Sequence, residues 1–255
     1  MIIDTFDNNS PAIINPKIVD GLLKFDACLV TFSDKIEAYV IKHYNAKQIA
    51  SFRFVTGTTP IYSIDYKGKS FAFFKTYVGA PACVGSIEDT LAKIKTNKYI
   101  VFGGAGCLNK KIARGKIMIP TEAYRDEGTS YHYMPASDYI KIKNATIVEQ
   151  FMKENNIPHI AGRGWTTDSF YRETRNNFEK RKADGCISVD MECASIQSMC
   201  DFRGLDFYTF FSSGDLLDAP AWDDRKYGDI SIRGSQHDPT LFKIAIELAL
   251  HIVKN

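Results

Sequence analysis

The sequence predicts an α/β fold, specifically a single-domain, three-layer α/β/α arrangement with a central mixed β-sheet. Short runs of β-branched and aromatic residues alternate with helix-length segments, which is typical of this class. The turn Tyr66 to Lys69 places a glycine between two strand-like runs and predicts a hairpin, which adds an antiparallel pair. Because 255 residues lie near the upper limit for one hydrophobic core, we expect residues 1–255 to form one domain.

The individual elements follow from composition and from the spacing of apolar residues. The predicted strands are Ala27 to Thr31, Phe71 to Tyr77, Tyr99 to Phe102, Lys116 to Ile119, Ile187 to Asp190 and Leu205 to Phe211. The predicted helices are Ser33 to Tyr44, Ser86 to Thr96, Asn144 to Asn155, Glu192 to Arg203 and Pro239 to Lys254. In the last of these helices the apolar residues fall on one face, so it is expected to pack against the sheet.

Composition and charge exclude several classes of protein. Hydrophobic residues make up 45% of the chain and charged residues 24%, which are ordinary values for a globular protein. Lys and Arg number 32 against 30 Asp and Glu, so no basic surface for nucleic acid or anionic membrane is indicated. The beginning of the chain lacks a secretory signal pattern, and no apolar stretch is long enough to span a membrane. We therefore expect a cytoplasmic protein.

Residue types that often hold metals or cofactors show no such pattern in the sequence. Six cysteines are widely spaced without a C-x-x-C pair, and five histidines lack the H-E-x-x-H spacing. No metal site is expected. The two tryptophans, Trp165 and Trp222, are interpreted as packing or lid anchors.

Two glycine clusters follow predicted strands, at Val78 to Pro81 and at Phe102 to Gly106. Glycines allow backbone amides to approach an anion or a sugar closely. The alternative is a tight turn that only lets a helix begin. The spacing differs from the dinucleotide fingerprint G-x-G-x-x-G, so no dinucleotide cofactor is inferred.

Carboxylates stand at the ends of two predicted strands. Asp190 and Glu192 end one strand and begin a helix, where a carboxylate suits the vicinal hydroxyls of a ribose; acidic residues at a helix start are also common because they favour the helix dipole. Asp215 follows Ser213 and Gly214 after an aromatic strand, where it is a candidate proton donor to a leaving base or a simple turn residue.

Together these segments resemble the trimeric and hexameric branch of the nucleoside phosphorylase family, which includes purine nucleoside phosphorylases, uridine phosphorylases and nucleosidases. Val189 to Ala194 is similar to the family's V-E-M-E-A-A, and Thr167 to Tyr171 to its S-D-T-F-Y. The resemblance implies a phosphorylase/hydrolase-like fold. It also implies that Met191 and Glu192 bind the ribose, and that Phe170 stacks on the base beside Asp190, Ser213 and Asp215. Glu192 and Asp215 are the implied catalytic residues.

The implied phosphate site departs from the family pattern. The segment Phe102 to Gly106 resembles a family turn near the phosphate and places Gly104 and Ala105 there. The family's P-G-D-P-x-R is replaced by Thr31 to Lys35, so Lys35 is the candidate cation. Arg53 resembles the arginine that these enzymes lend to a neighbouring subunit.

The resemblance implies phosphorolysis of a nucleoside, with inorganic phosphate as co-substrate and no other cofactor. The Gln with which uridine phosphorylases read uracil is missing after Phe170, whereas Ser213 to Asp215 is similar to the S-D of the purine enzymes, so purine nucleosides are expected. Uridine phosphorolysis, hydrolysis by water, and nucleoside binding without catalysis are the alternatives. A homo-oligomer, either a dimer or a trimer of dimers with shared active sites, is also implied.

Overall fold

A ten-stranded mixed sheet forms the centre of the computed structural model, which describes residues 1–226, 235 and 237–254. The strands within these residues are β1 (Leu23–Lys24), β2 (Ala27–Thr31), β3 (Lys47–Phe54), β4 (Gly57–Tyr66), β5 (Lys69–Lys75), β6 (Ile94–Lys95), β7 (Lys98–Cys107), β8 (Ile117–Asp126), β9 (Tyr139–Lys141), β10 (His159–Thr167), β11 (Cys186–Asp190) and β12 (Asp206–Leu216). The helices are α1 (Asp34–His43), α2 (Ala80–Leu91), α3 (Ala145–Glu154), α4 (Arg175–Ala183), α5 (Cys193–Arg203) and α6 (Thr240–Ile252).

One half of the sheet closes on itself. In the ten-stranded sheet the strand order is β11-β10-β8-β12-β7-β2-β5-β4-β3, with β9 paired to β8, whereas β1 and β6 form a separate two-stranded sheet. Because β11 also pairs with β7, the strands β11, β10, β8, β12 and β7 form a closed barrel. The closing pairs are antiparallel and join Ser188 to Cys107 and Val189 to Gly106. A Cβ atom at Gly106 would lie only 2.7 Å from Cγ1 of Val189, so the strands can approach this closely because position 106 has no side chain.

The other half of the sheet is open and is extended by a hairpin. β2 lies between β7 and β5, and all three run parallel. β4 and β5 pair antiparallel around Lys67 and Gly68, whose φ angles of 49° and 78° are those of a tight primed turn. The hairpin predicted at Tyr66 to Lys69 is therefore confirmed, and so is the mixed α/β fold.

Local sequence explains how the helices that face the site begin. Ser33 caps α1, because its Oγ accepts the Ile36 N–H at 3.1 Å. α2 begins after Gly79, which has a φ of 102° that other residues rarely adopt, and Pro81 occupies its first turn. Each helix therefore begins within a few residues of the end of a strand, α1 after β2 and α2 after β5.

Several elements differ from the sequence prediction. The glycine segment Phe102 to Gly106 lies inside β7 instead of forming a turn, because its neighbours β12 and β11 pair with it along its length. α2 begins at Ala80, six residues before the predicted start at Ser86. β10 and α4 were not predicted at all: β10 contains two glycines and few apolar residues, and α4 is almost entirely polar.

The main hydrophobic core lies between the sheet and its helices. Phe71, Phe73, Phe102, Phe210 and Phe242 are all fully buried within it, and the ring of Phe242 from α6 meets those of Phe73 and Phe102. These aromatic contacts join α6 to both halves of the sheet. Within the described residues, no helix has the length and hydropathy needed to cross a membrane.

Candidate active site

A cavity of about 1210 Å³ opens where the C-terminal halves of several strands converge. Its wall is formed by Thr31 at the end of β2, by 103–106 in β7, by 189–192 at the end of β11, and by Asp215 in β12. The segment after β10 adds Phe170 and its neighbours. Ligands of open α/β sheets bind at such strand ends, so this cavity is the candidate active site.

Glu192 is a buried carboxylate held at the wall of this cavity. Its Oε1 accepts the Gly79 N–H at 2.6 Å, which joins the start of α5 to the start of α2. Burial raises the pKa of Glu192 to about 8, and the negative charge of Asp190 raises it further, although the Gly79 hydrogen bond opposes the shift. A hydrogen-bond donor from a ligand would favour the ionised form of this carboxyl.

Asp190 has a structural role as well as a place in the cavity wall. Its Oδ1 accepts the N–H groups of Glu192 and Cys193, at 2.9 and 2.7 Å, and the Thr166 hydroxyl at 3.1 Å. These contacts satisfy backbone N–H groups at the start of α5 and fix the strand-to-helix turn. Oδ2 is buried without a hydrogen-bond partner in the described part of the chain, and burial raises the pKa of Asp190 to about 6.

A bulge in β12 brings Asp215 to the cavity. The register between β12 and β7 shifts between Ser213 and Leu216, at the glycine that separates Ser213 from Asp215. Bulges of this kind re-aim side chains. As a result Asp215 lines the cavity, where its Oδ2 accepts the indole N–H of Trp222 at 2.7 Å, whereas Ser213 is fully buried and does not line it.

Glu173 is a second carboxyl group at this end of the cavity. It follows a short turn of 3₁₀ helix, Phe170–Arg172, and is partly buried. Burial raises its pKa to about 7, with a further contribution from the negative charge of Asp215. Asp215 therefore lies close enough to Glu173 for its charge to affect the ionisation of Glu173.

The predicted phosphate ligands are only partly brought together. Gly104 and Ala105 line the cavity, and so does Ser33, whose Oγ lies 2.7 Å from Nδ1 of His237. Lys35 is exposed in the first turn of α1 and does not line the cavity, because the start of this helix presents Ser33 there instead. Arg53 is exposed on β3 and does not line it either.

The predicted sugar and base contacts lie at the cavity, with the exception of Ser213. Met191 lines it beside Glu192. Phe170 lines it and is 51% exposed, with its ring centroid 4.1 Å from that of Tyr171. An exposed aromatic ring at a cavity mouth is a suitable stacking surface for a base.

Sequence reasoning did not predict several residues of the wall, among them Ser33, Glu173 and His237, and it interpreted Trp222 as a packing or lid anchor without assigning it to the cavity. Glu173 lies two residues beyond the end of the motif Thr167 to Tyr171. The sequence around Asp215 did not indicate that the indole of Trp222 would donate to it. Trp222 and His237 belong to irregular segments, where spacing carries little information about position. In the described part of the chain, no group of three or more His, Cys, Asp or Glu side chains is arranged to hold a metal ion.

Comparison with known proteins places this fold and cavity in a family. The model of the phosphorylase superfamily matches residues 27–236, which include every strand of the barrel. The chain belongs to this superfamily. The resemblance to nucleoside phosphorylases that the motifs indicated is thereby confirmed, and the residues that line the cavity lie within the matched range, except for His237.

Individual relatives of this superfamily member are distant. It is 23% identical over 211 residues to a protein of Vibrio parahaemolyticus named purine nucleoside phosphorylase DeoD-type 2, covering 82% of this chain and 85% of the relative. A protein of Vibrio cholerae with the same name matches to the same extent. The purine nucleoside phosphorylase DeoD-type of Alkaliphilus metalliredigens is 25% identical over 158 residues, covering 60% of this chain and 66% of the relative.

Proposed function

We propose that this protein cleaves the N-glycosidic bond of purine nucleosides with inorganic phosphate, giving the free base and (deoxy)ribose 1-phosphate. One observation carries the proposal: a single cavity brings together three groups that this reaction needs. They are the buried carboxyl group of Glu192, which suits a ribose, the exposed ring of Phe170, which suits a base, and the carboxyl group of Asp215, whose charge acts on Glu173 in the segment after that ring. The names of the relatives support the choice of purine nucleosides.

On the sugar side, Glu192 accepts hydrogen bonds from the ribose hydroxyls, and Met191 packs on the sugar ring. The Gly79 N–H fixes one oxygen of the Glu192 carboxylate before any ligand binds. Such prior positioning lowers the entropic cost of binding the sugar in one orientation. When the ribose hydroxyls donate to Glu192 they lower its pKa, and the ionised carboxylate then places a negative charge close to the sugar, where positive charge develops as the bond breaks.

On the base side, Phe170 stacks on the purine and Asp215 protonates or hydrogen-bonds it as it leaves. The bond from the anomeric carbon breaks with its electron pair going to the base, so a proton or a hydrogen bond there stabilises the leaving group. The indole of Trp222 holds Asp215 in position for this role.

For the nucleophile, Ser33 and the backbone at Gly104 and Ala105 contact the phosphate. We propose that the protein is a homo-oligomer in which Arg53 of a neighbouring copy adds a cation to this site. Its exposed place on β3, outside the cavity wall of its own chain, supports such a role. A guanidinium can bind phosphate through two hydrogen bonds.

Hydrolysis by water is a second candidate, and the charge of the cavity wall favours it. Five carboxyl-bearing residues line the cavity in the described part of the chain, against two basic residues. They are Glu173, Asp190, Glu192, Asp215 and Asp224, with Arg175 and His237. The guanidinium of Arg175 already donates to the carbonyls of Leu217 and Ala219. A net negative wall repels phosphate more than it repels water.

A panel of nucleosides with and without phosphate tests the proposal. Adenosine, inosine, guanosine, a 2′-deoxy purine nucleoside and uridine are incubated with the protein, and free base and sugar product are measured. We expect phosphate-dependent release of purine base together with a sugar 1-phosphate. Free ribose at equal rates with and without phosphate would establish hydrolysis, and preference for uridine would overturn the purine assignment. Binding without turnover of any member would contradict both activities.

A further inference from the structure

A serine and a histidine from distant parts of the chain meet at the end of the cavity where β2 and β7 lie side by side. Ser33 caps α1 and His237 lies just before α6, and both line the cavity. The Oγ atom of Ser33 is 2.7 Å from Nδ1 of His237, which is a hydrogen-bond distance. The pair therefore joins the start of α1 to the segment before α6 at the wall where the phosphate is proposed to bind.

Backbone contacts hold each member of this pair in place. The Ser33 N–H donates to Oγ1 of Thr31 at 3.4 Å, and Ser33 is only 4% exposed. The His237 N–H donates to Oγ of Ser235 at 3.3 Å. The carbonyl of Ser235, which is fully buried, accepts the Asp238 N–H at 3.0 Å. This turn leads into α6, so the position of His237 is fixed by contacts other than the one to Ser33.

The hydrogen bonds of Ser33 limit what its hydroxyl group can offer to a ligand. A hydroxyl has one proton and two lone pairs, and the Ile36 N–H uses one lone pair of Ser33 at 3.1 Å. If the Ser33 proton goes to Nδ1 of His237, only a lone pair remains for a ligand. If Nδ1 carries a proton and donates to Oγ, the Ser33 proton can point at the ligand. The protonation of one ring nitrogen thus determines whether Ser33 donates to the ligand or accepts from it.

Phosphate requires donors at this wall, because its unprotonated oxygens accept hydrogen bonds. Lys35 and Arg53 do not line the cavity of their own chain. The guanidinium of Arg175, which does line it, donates to two backbone carbonyls. A Ser33 hydroxyl that donates makes up for part of this shortage of donors, whereas one that only accepts offers nothing to an unprotonated oxygen.

We propose that His237 is a positioning residue for the nucleophile: its Nδ1–H donates to Oγ of Ser33 and so turns the Ser33 hydroxyl toward the phosphate. This role rests on the proposed function, because it concerns the phosphate of that reaction. It deepens that function by adding a residue through which the chain favours phosphate over water. The opposite arrangement, in which the Ser33 proton goes to Nδ1, suits a water molecule that donates to Oγ, and it is the arrangement expected of a hydrolase.

NMR of protein that carries ¹⁵N-labelled histidine tests this arrangement without turnover. The signals of His237 are those that disappear in His237→Leu. With inorganic phosphate at saturating concentration, we expect Nδ1 of His237 to have the chemical shift of a protonated nitrogen. An Nδ1 that is unprotonated under these conditions would overturn the proposal, because the Ser33 proton would then be directed at the ring.

The Michaelis constant for phosphate tests what the pair does in the reaction. His237→Leu removes the donor to Ser33, so we expect KM for phosphate to rise about tenfold while KM for the nucleoside stays unchanged. His237→Asn should restore most of the loss, because its side-chain N–H can donate from the place of Nδ1–H. The double variant Ser33→Ala, His237→Leu should be no worse than Ser33→Ala alone, since His237 acts through Ser33. Losses that multiply in the double variant would contradict that dependence.

His43→Leu is the matched control for the loss of a histidine. Nδ1 of His43 donates to the Tyr39 carbonyl at 2.8 Å within α1, and the residue is exposed and does not line the cavity. Both KM values should stay unchanged in this variant. Phosphate-dependent cleavage with an unaltered KM for phosphate in His237→Leu would overturn the role of His237 alone, whereas cleavage that does not depend on phosphate would overturn the proposed function as well.

Discussion

At the scale of the residue, Glu192 illustrates how the fold prepares a ligand site in advance. Its carboxylate is buried and already accepts one backbone N–H, from Gly79, so its remaining capacity is directed at the cavity. Burial holds its pKa near 8, well above the ordinary value for Glu. A ribose that donates to the carboxylate lowers this pKa, so binding of the sugar is accompanied by release of a proton at neutral pH.

Glu192→Gln tests this role directly. The substituted amide can still accept the Gly79 N–H but carries no charge, so we expect kcat/KM for a ribonucleoside to fall about a hundredfold. The loss should be smaller for a nucleoside that lacks the 2′-hydroxyl, because one of the two hydrogen bonds is then absent in both proteins. Steady-state kinetics on adenosine and 2′-deoxyadenosine measure the difference. Identical losses on both substrates would contradict a contact to the 2′-hydroxyl.

Only some of the residues that the motifs predicted for the site line the cavity. Glu192, Met191 and Phe170 lie in short segments attached to a strand end, so their local sequence largely determines where they point. Lys35 fails to reach the cavity because it follows Ser33 by two residues, and residues two apart in a helix point in different directions. Glu173 was not predicted, because its importance arises from Asp215, which approaches from a distant strand. Proximity between residues that are far apart in the sequence cannot be predicted from local sequence patterns.

At the scale of the element, the strands that the sequence predicted are those with uninterrupted apolar runs, such as β2. β10 was missed because a strand inside a closed barrel can contain glycine where a neighbour comes close: a Cβ at Gly162 would lie 2.8 Å from Cγ2 of Ile187. The same cause made the segment Phe102 to Gly106 resemble a turn, since glycine is typical of both situations. The α/β alternation was therefore predictable, whereas the closure of the barrel was not.

Gly106→Ala is the corresponding test at the closing point of the barrel. The added methyl group would contact Val189 and Leu217 at 2.7 and 3.0 Å, so we expect a loss of about 2 kcal/mol in the free energy of unfolding. Gly164→Ala in β10 is the control, because its Cβ would meet neighbours only at ordinary distances of 3.4 Å or more. Denaturant unfolding of the two variants gives the comparison; equal stabilities would show that the closing pair adjusts freely.

At the scale of the whole molecule, the carboxyl groups of the cavity make stability depend on pH. The pKa values of Glu173, Asp190 and Glu192 are raised to about 7, 6 and 8, chiefly by burial. In the unfolded chain these groups lose their protons near their ordinary values. Between those values and the folded ones the folded state binds more protons, so its stability decreases as the pH rises through this window.

Thermal unfolding as a function of pH measures this effect. We expect the Tm of the protein to decrease by several degrees, on the order of 5 °C, between about pH 5 and pH 8. The double variant Glu173→Gln, Glu192→Gln removes two of the titrating groups and should show a clearly smaller decrease. Glu179→Gln should follow the unsubstituted protein, because that side chain is exposed. A Tm that rises over this interval in the unsubstituted protein would contradict the assigned directions of the pKa shifts.

The pairing of Val189 with Gly106 also determines when the site can appear during folding. It joins strands from the middle and the later part of the chain, and Glu192 follows one of them while Gly104 belongs to the other. Contacts between segments so far apart in sequence form slowly, because the intervening chain must first be ordered. A ribosome-bound chain therefore cannot assemble this part of the cavity wall until β11 has been synthesised and has reached β7. If the protein binds nucleosides as proposed, nucleoside binding reports that these two strands have paired.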